Sequence, residues 1–321
     1  MIKKIAITVA ALIVIGYFGL KYYVARNVSQ GVDNVIRSLS SVATIRYASV
    51  TTTMGGRLTI DDLTIQPKGL TDVIPIDGIG IAMPSFLDLL SLDEMTPRWL
   101  AQEGFPDWVE FFVDGVRIDM QGDYYLALKD IASDANVPSV DEDPIGHCLF
   151  DNASVVTMHD TLGYDALEVS LAYTFRQLDR SYALDFRYDA NEEMRVEGSM
   201  EFEGRARKIL DSPNYRPALV GMTLEVNDQG VGDRTYQHCA KLGIDRTTAD
   251  AAWVMRIWQM FAELGFIPDD RLKAQVDTFV AEQHKNIRVI LDPTSPIDLT
   301  KVQFYKAEDL PALLGVEVES W

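Results

Sequence analysis

The sequence predicts an α+β protein in which an N-terminal transmembrane helix is followed by an antiparallel β-sheet meander with helices packed on one face. Three observations predict this class. The chain begins with an uncharged apolar stretch, its middle alternates apolar and polar residues with the period of a strand, and its last third repeats apolar residues with the period of a helix. With 321 residues, of which 47% are hydrophobic, the chain can build a large core.

The first 25 residues predict a membrane anchor. Residues 5–20 carry no charge, and Lys3 and Lys4 precede them. A helix needs roughly 20 apolar residues to cross the hydrocarbon core, and residues 5–25 reach that length if Lys21 extends to the interface. Lysines at the short end favour a cytoplasmic N-terminus. The residues expected to anchor the helix in lipid and headgroups are Ile5, Leu12, Ile15, Phe18, Leu20, Tyr22 and Tyr23.

A cleaved signal peptide is the alternative interpretation of the same segment, because it also has a charged start and an apolar centre. A cut after Ala25 would place Tyr23 at a position that requires a small residue. This mismatch favours the retained anchor.

The rest of the chain is predicted to form two regions joined by a linker. A β-rich, membrane-proximal region is expected over 26–133 and an α+β domain over 145–321, because the intervening segment 134–144 is polar and contains prolines. Its acidic run 141–143 lacks the ligand spacing of a calcium loop and is interpreted as a solvated charge run.

Each element of the first region follows from a local pattern. Apolar residues recur at helical spacing after Arg26, and paired glycines then interrupt alternating strand residues. The predicted elements are a helix over 26–40, a hairpin that turns at Gly55 and Gly56, strands over 74–83 and 108–120, a short helix from Ser85 and a helix over 124–132.

The second region contains the clearest strand signal, since its apolar residues alternate strictly with other residues. Strands are predicted over 167–175, 182–188, 194–202 and 220–226, preceded by a helix over 148–162. Helices follow over 230–242, 249–264 and 269–280, the second of them capped by Thr247 or Thr248, and strands are predicted over 287–291 and 299–305.

Charge and motifs exclude several classes of function. The formal net charge of −19 opposes binding to nucleic acid and to anionic lipid surfaces. The sequence has no nucleophile elbow, phosphate-binding loop or HExxH motif, so we expect neither an enzyme nor a bound cofactor or metal.

The two cysteines, Cys148 and Cys239, are expected to form a disulfide if the domain lies in an oxidising compartment. A zinc site with the adjacent His147 and His238 is an alternative, although neighbouring side chains point apart; buried free thiols are another. The lone His159 is interpreted as a surface or capping residue.

Two tryptophans and two methionines of the segment 249–264 suggest either a lipid groove or the buried face of an amphipathic helix. These residues are Trp253, Trp258, Met255 and Met260. Their spacing fits a single buried face, which favours core packing.

The layout resembles the AsmA-like proteins and related single-pass bacterial inner-membrane proteins. The resemblance rests on the N-terminal span and on four segments: MGGRLTIDDLTIQP (54–67), WVEFFVDGVRIDM (108–120), LGYDALEVSLAYTF (162–175) and LEVNDQGVGDRTYQHCAKLGI (224–244). It implies an inner-membrane protein with its N-terminus in the cytoplasm and its bulk in the periplasm.

Two functions are expected for such a protein. The first is a structural or interaction protein of the envelope that contacts the bilayer through its N-terminal helix and binds an envelope partner or a second copy of itself. The alternative is a lipid-binding or lipid-transfer protein, with a groove between the sheet and the helices.

Overall fold

The computed structural model describes residues 25–90, 106–134, 144–150, 155–204, 215–263, 267–281, 285–306 and 308–321. The predicted anchor residues Ile5, Leu12, Ile15, Phe18, Leu20, Tyr22 and Tyr23, and nearly all of the predicted linker, lie outside the described residues.

The described strands form one twelve-stranded antiparallel sheet. The strands are β1 (Ala43–Arg46), β2 (Ser49–Thr52), β3 (Arg57–Pro67), β4 (Ile74–Ala82), β5 (Trp108–Asp119), β6 (Ala166–Gln177), β7 (Ser181–Ala190), β8 (Met194–Glu203), β9 (Ala218–Asp228), β10 (Asn286–Leu291), β11 (Ile297–Asp298) and β12 (Val316–Ser320). Their order is β1-β3-β4-β5-β6-β7-β8-β9-β10-β12, with β2 paired to β3 and β11 paired to β9. The sheet is thus a meander whose neighbouring strands mostly follow one another in sequence.

The helices lie before, between and after the strands in the chain. They are α1 (25–39), α2 (Phe86–Leu90), α3 (Asp123–Asp134), α4 (Pro144–Cys148), α5 (Val155–Leu162), α6 (Val231–Lys241), α7 (Arg246–Glu263), α8 (Asp270–Ala281) and α9 (Leu310–Leu314), with a 3-10 helix over Leu299–Phe304. The predicted α+β class with a large antiparallel sheet is therefore confirmed.

The sheet runs without interruption through both regions that the sequence analysis distinguished. Strand β5 pairs with β6 along ten residue pairs, from Trp108 opposite Arg176 to Asp119 opposite Ala166. The segment between these two strands contains α3, α4 and α5. The two regions therefore share one backbone hydrogen-bond ladder.

A β-bulge in β5 keeps Val116 on the same face of the sheet as Val113. The register against β6 shifts between Val113 and Val116, and Gly115 between them has a φ of 63°, a conformation that glycine adopts without strain. Val113 and Val116 consequently oppose Leu171 and Val169, which are two residues apart on β6.

Three predictions about single elements are wrong. Residues 299–305, predicted as a strand, form a 3-10 helix, because Asp298 accepts hydrogen bonds from the backbone N–H and the hydroxyl of Thr300 and so starts a helical turn. The final strand is instead β12. The predicted helix over 148–162 is divided between α4 and α5. Helix α7 is capped by Asp245, which accepts the Thr248 N–H at 2.9 Å, rather than by a threonine.

Candidate functional site

The candidate site is one face of the sheet, on which apolar side chains are aligned from strand to strand. Residues two apart in a strand share a face, and paired residues are neighbours across strands. The central row crosses nine strands from β3 to β12: Leu58, Ile81, Phe111, Tyr173, Phe186, Gly198, Leu224, Val289 and Val318.

Parallel rows flank the central row on both sides. On one side lie Val109, Phe175, Leu184, Met200, Met222, Leu291 and Val316. On the other lie Ile60, Ile79, Val113, Leu171, Tyr188, Val196, Val226 and Ile287. We call the part of these rows that lies on β5 to β9 the apolar floor: Phe111, Val113, Leu171, Tyr173, Phe175, Leu184, Phe186, Tyr188, Val196, Met200, Met222, Leu224 and Val226.

The central row is buried at both ends and open in the middle. Leu58 and Val318 are 4% and 3% exposed, whereas Phe111 is 59% and Tyr173 54% exposed. Leu184, in the adjoining row, is 38% exposed. Large apolar side chains seldom stay so accessible in contiguous rows unless the surface binds something.

Helices bury the two ends of the rows. At the β3–β5 side, Phe86 and Leu89 of α2 and Val28 of α1 pack with Leu58 and Val109. At the opposite side, residues of α7, α8 and α9 pack around Val318 together with the β10 residues. The floor therefore lies between these two groups of helices, and on one flank its residues Phe175, Met200 and Met222 pack against the buried side chains of Tyr182, Phe202 and Leu219.

The opposite face of the same strands is polar. Pairs of oppositely charged residues lie across neighbouring strands, among them Arg176 with Asp185 and Arg288 with Glu225. A trough of about 340 Å³ on this face is lined mainly by polar residues, and Ala172, Phe186 and Gly198 also border it. The polar residues are Glu110, Thr174, Asp185, Arg187, Glu197, Ser199, Thr223 and Glu225. The contrast between the two faces follows directly from the alternation in the sequence.

Asp185 has the best-defined ion pair on the polar face. Arg176 donates two hydrogen bonds to its carboxylate, at 2.5 and 2.8 Å, and the Ser199 hydroxyl donates a third at 2.6 Å. Burial raises the pKa of Asp185, but these donors outweigh it and lower the pKa below its ordinary value of 3.8.

A buried pair of polar side chains, His159 and Glu193, connects the α5 helix to the β7–β8 turn. The Nε2 atom of His159 lies 2.8 Å from Oε1 of Glu193, and both side chains are about 5% exposed or less. The ring of Tyr164 meets His159 edge-on at 5.6 Å. Burial and the nearby Glu193 carboxylate raise the pKa of Tyr164 to about 12. The prediction of His159 as a surface or capping residue is wrong.

The two cysteines lie side by side, Cys148 at the end of α4 and Cys239 in α6. The Sγ atoms of Cys148 and Cys239 are 1.89 Å apart, at disulfide-bonding distance, and both residues are fully buried with Leu149, Ala249 and Ala252. The zinc alternative finds no support, since the described residues contain no group of three or more His, Cys, Asp or Glu that is suited to a metal.

The four residues that suggested a lipid groove in α7 do not act together. Met255 and Met260 are 66% and 51% exposed. Trp258 packs against the cluster that holds Leu272 and Val276. Trp253 alone lines a cavity, which lies between α6, α7 and α8.

Within the described part of the chain, no helix combines the length and apolar character needed to cross a bilayer; the segment 1–24 is not part of it. A scan against protein-family models finds no match to this sequence, and a search of curated proteins finds no similar one.

Proposed function

We propose that the protein is a membrane-anchored lipid-binding protein that holds an acyl chain on the apolar floor. The observation that carries this proposal is the central row of aligned side chains, which is buried at both ends and open on β5 and β6, at Phe111 and Tyr173. An acyl chain bound there would remove its own apolar surface and that of the floor from water. The free energy gained is about 25 cal/mol for each Å² of apolar area buried.

The dimensions of the floor suit this ligand. Neighbouring strands are about 4.8 Å apart, so the four intervals from β5 to β9 give a length of about 19 Å. The hydrocarbon core of a bilayer is about 30 Å thick, and one acyl chain therefore extends about 15 Å. Three parallel rows, at two-residue spacing along the strands, also give the floor the width to hold more than one chain.

The proposed setting is the bacterial inner membrane, with residues 5–25 in the bilayer and the sheet in the periplasm. The apolar segment 5–20 supports the anchor. The juxtaposed cysteines support an oxidising compartment. A tether of this kind keeps the floor close to the lipids that it would bind.

Photo-crosslinking of the full chain tests the proposal. A benzophenone amino acid is placed at Phe111 on the floor or, as the matched control, at Arg187 on the polar face of β7. After illumination in native membranes, we expect lipid adducts by mass spectrometry from position 111 and none from position 187. Equal lipid adducts at both positions, or none at 111, would overturn the proposal.

A second candidate function is protein interaction through the same face, which would make the chain a structural component of an envelope assembly. The exposed aromatic residues Phe111 and Tyr173 favour it, since aromatic side chains are enriched and charged ones depleted in the centres of protein interfaces. In the same experiment, adducts from position 111 to an envelope protein or to a second copy of the chain, instead of lipid, would support this function over the first.

A further inference from the structure

A cavity distinct from the apolar floor lies between the helices α6, α7 and α8. It has a volume of about 280 Å³, near the lower limit for small-molecule sites. Trp253 and Ile257 of α7 and Phe279 and Val280 of α8 form its apolar part. Helix α6 and the adjoining ends of β9 and β10 close the remaining sides.

The acidic groups around this cavity already have partners. The carboxylate of Asp228 accepts the backbone N–H groups of Gly230 and Gly232 at the start of α6, at 2.8 and 3.2 Å. Asp233 pairs with Lys285 at 3.4 Å. Both carboxylates therefore have hydrogen-bond or ion-pair donors within the fold.

Arg246 is the exception among the charged groups of the cavity. Its guanidinium carbon lies 4.1 Å from the centroid of the Tyr236 ring, so it is held in place by a cation–π contact. Tyr236 in turn donates its hydroxyl hydrogen to Asp250. None of the ion pairs found among the described residues includes Arg246; its side chain is exposed to solvent and also interacts with the Tyr236 hydroxyl.

We propose that this cavity binds a small amphiphile that has one anionic group and a short apolar body. The anionic group pairs with Arg246, whose planar guanidinium suits a carboxylate or a phosphate. The apolar body lies against Trp253, Ile257 and Phe279. The site is too small for a whole membrane lipid, and its ligand is accordingly a fatty acid of short or medium chain length or a compound of similar shape.

Binding of decanoate to the full chain in nanodiscs tests the proposal, with decanol as the uncharged comparison. Calorimetry should show decanoate binding to the wild type more tightly than decanol. Arg246→Gln should weaken decanoate binding about tenfold or more, the scale of one charge-assisted contact, and leave decanol unchanged. Arg256→Gln is the matched control, because Arg256 lies on the same helix and hydrogen-bonds Gln259.

A second variant locates the ligand. Decanoate should change the tryptophan fluorescence of the wild type, and Trp253→Phe should remove that change while calorimetric binding persists. Equal loss of decanoate affinity in the Arg246 and Arg256 variants, or an undiminished fluorescence change in Trp253→Phe, would overturn the proposal. Loss of decanoate binding in Arg246→Gln while position 111 still gives lipid adducts would assign the effect to this cavity and not to the floor, so the two proposals fail independently.

Discussion

The ring of Phe186 lies over the Cα atom of Gly198, its cross-strand partner in the central row. A Cβ atom added at Gly198 would lie far inside van der Waals contact with the Cε1 and Cζ atoms of that ring. The aromatic ring thus fills the place of the missing side chain and keeps the row apolar across β8. Cross-strand aromatic rings compensate for glycines in sheets in this way.

We therefore expect Gly198→Ala to lower the free energy of unfolding by about 1–3 kcal/mol, since the ring of Phe186 has to move from its position. Urea unfolding measures the loss. Gly221→Ala is the control, because an added Cβ there would meet its nearest neighbour, the Leu291 carbonyl oxygen, at an ordinary 3.5 Å. If the two variants are equally stable, Phe186 does not pack on Gly198 as described.

The strands of the floor could be predicted from the sequence, but the floor itself could not. Strict alternation in 167–175 and 182–188 identifies β6 and β7 and separates their apolar face from their polar one, because the side-chain period of a strand is two. Alternation does not give the register between strands that are distant in sequence, such as β5 against β6. The alignment of Phe111 with Tyr173 depends on that register and on the bulge at Gly115.

The burial of His159 does not follow from the sequence for a different reason. Its partner Glu193 lies in a turn two strands further along the chain, and no local pattern connects the two. One pattern in the sequence does indicate burial. His159 follows Val155 by four residues and precedes Leu162 by three, a spacing that puts it in line with apolar residues along α5. A histidine at such a position is buried when the helix packs on a sheet.

Removal of one member of the buried His159–Glu193 pair should be costly. We expect Glu193→Ala to lower the free energy of unfolding by about 1–3 kcal/mol, because it leaves the buried His159 side chain without the polar group beside it. The double variant His159→Leu, Glu193→Met should recover most of that loss, since an apolar pair of similar volume needs no compensation. Urea unfolding of the three proteins checks this. A double variant no more stable than Glu193→Ala would show that the loss does not come from the partner left behind at His159.

The Arg176–Asp185 ion pair should make stability depend on pH in the acidic range. The pKa of Asp185 is lower in the folded chain than its ordinary value of 3.8, so its contribution is complete above that value and is lost as the pH falls through the folded pKa. Both side chains are partly exposed, and the contribution is about 1 kcal/mol or less.

Asp185→Asn should therefore have a lower melting temperature than the wild type at neutral pH, and the difference should shrink as the pH is lowered below 3.8. Asp179→Asn, in the exposed turn before β7, is the control, and its melting temperature should equal that of the wild type at every pH. A difference between Asp185→Asn and the wild type that stays constant down to the lowest pH would mean that the carboxylate charge is not the cause.

The cysteine pair should contribute strongly to stability, because it connects residues 91 positions apart in the chain. Closing a loop of this length removes unfolded-state entropy worth about 4 kcal/mol. Reduction of the wild type should therefore lower the urea midpoint, and the variant Cys148→Ala, Cys239→Ala should already show the lower value. Reductant should leave the variant unchanged, which separates loss of the disulfide from other effects of the reductant. If the wild type has the same midpoint with and without reductant, the cysteines are not joined in the folded protein, and the argument for an oxidising compartment fails with them.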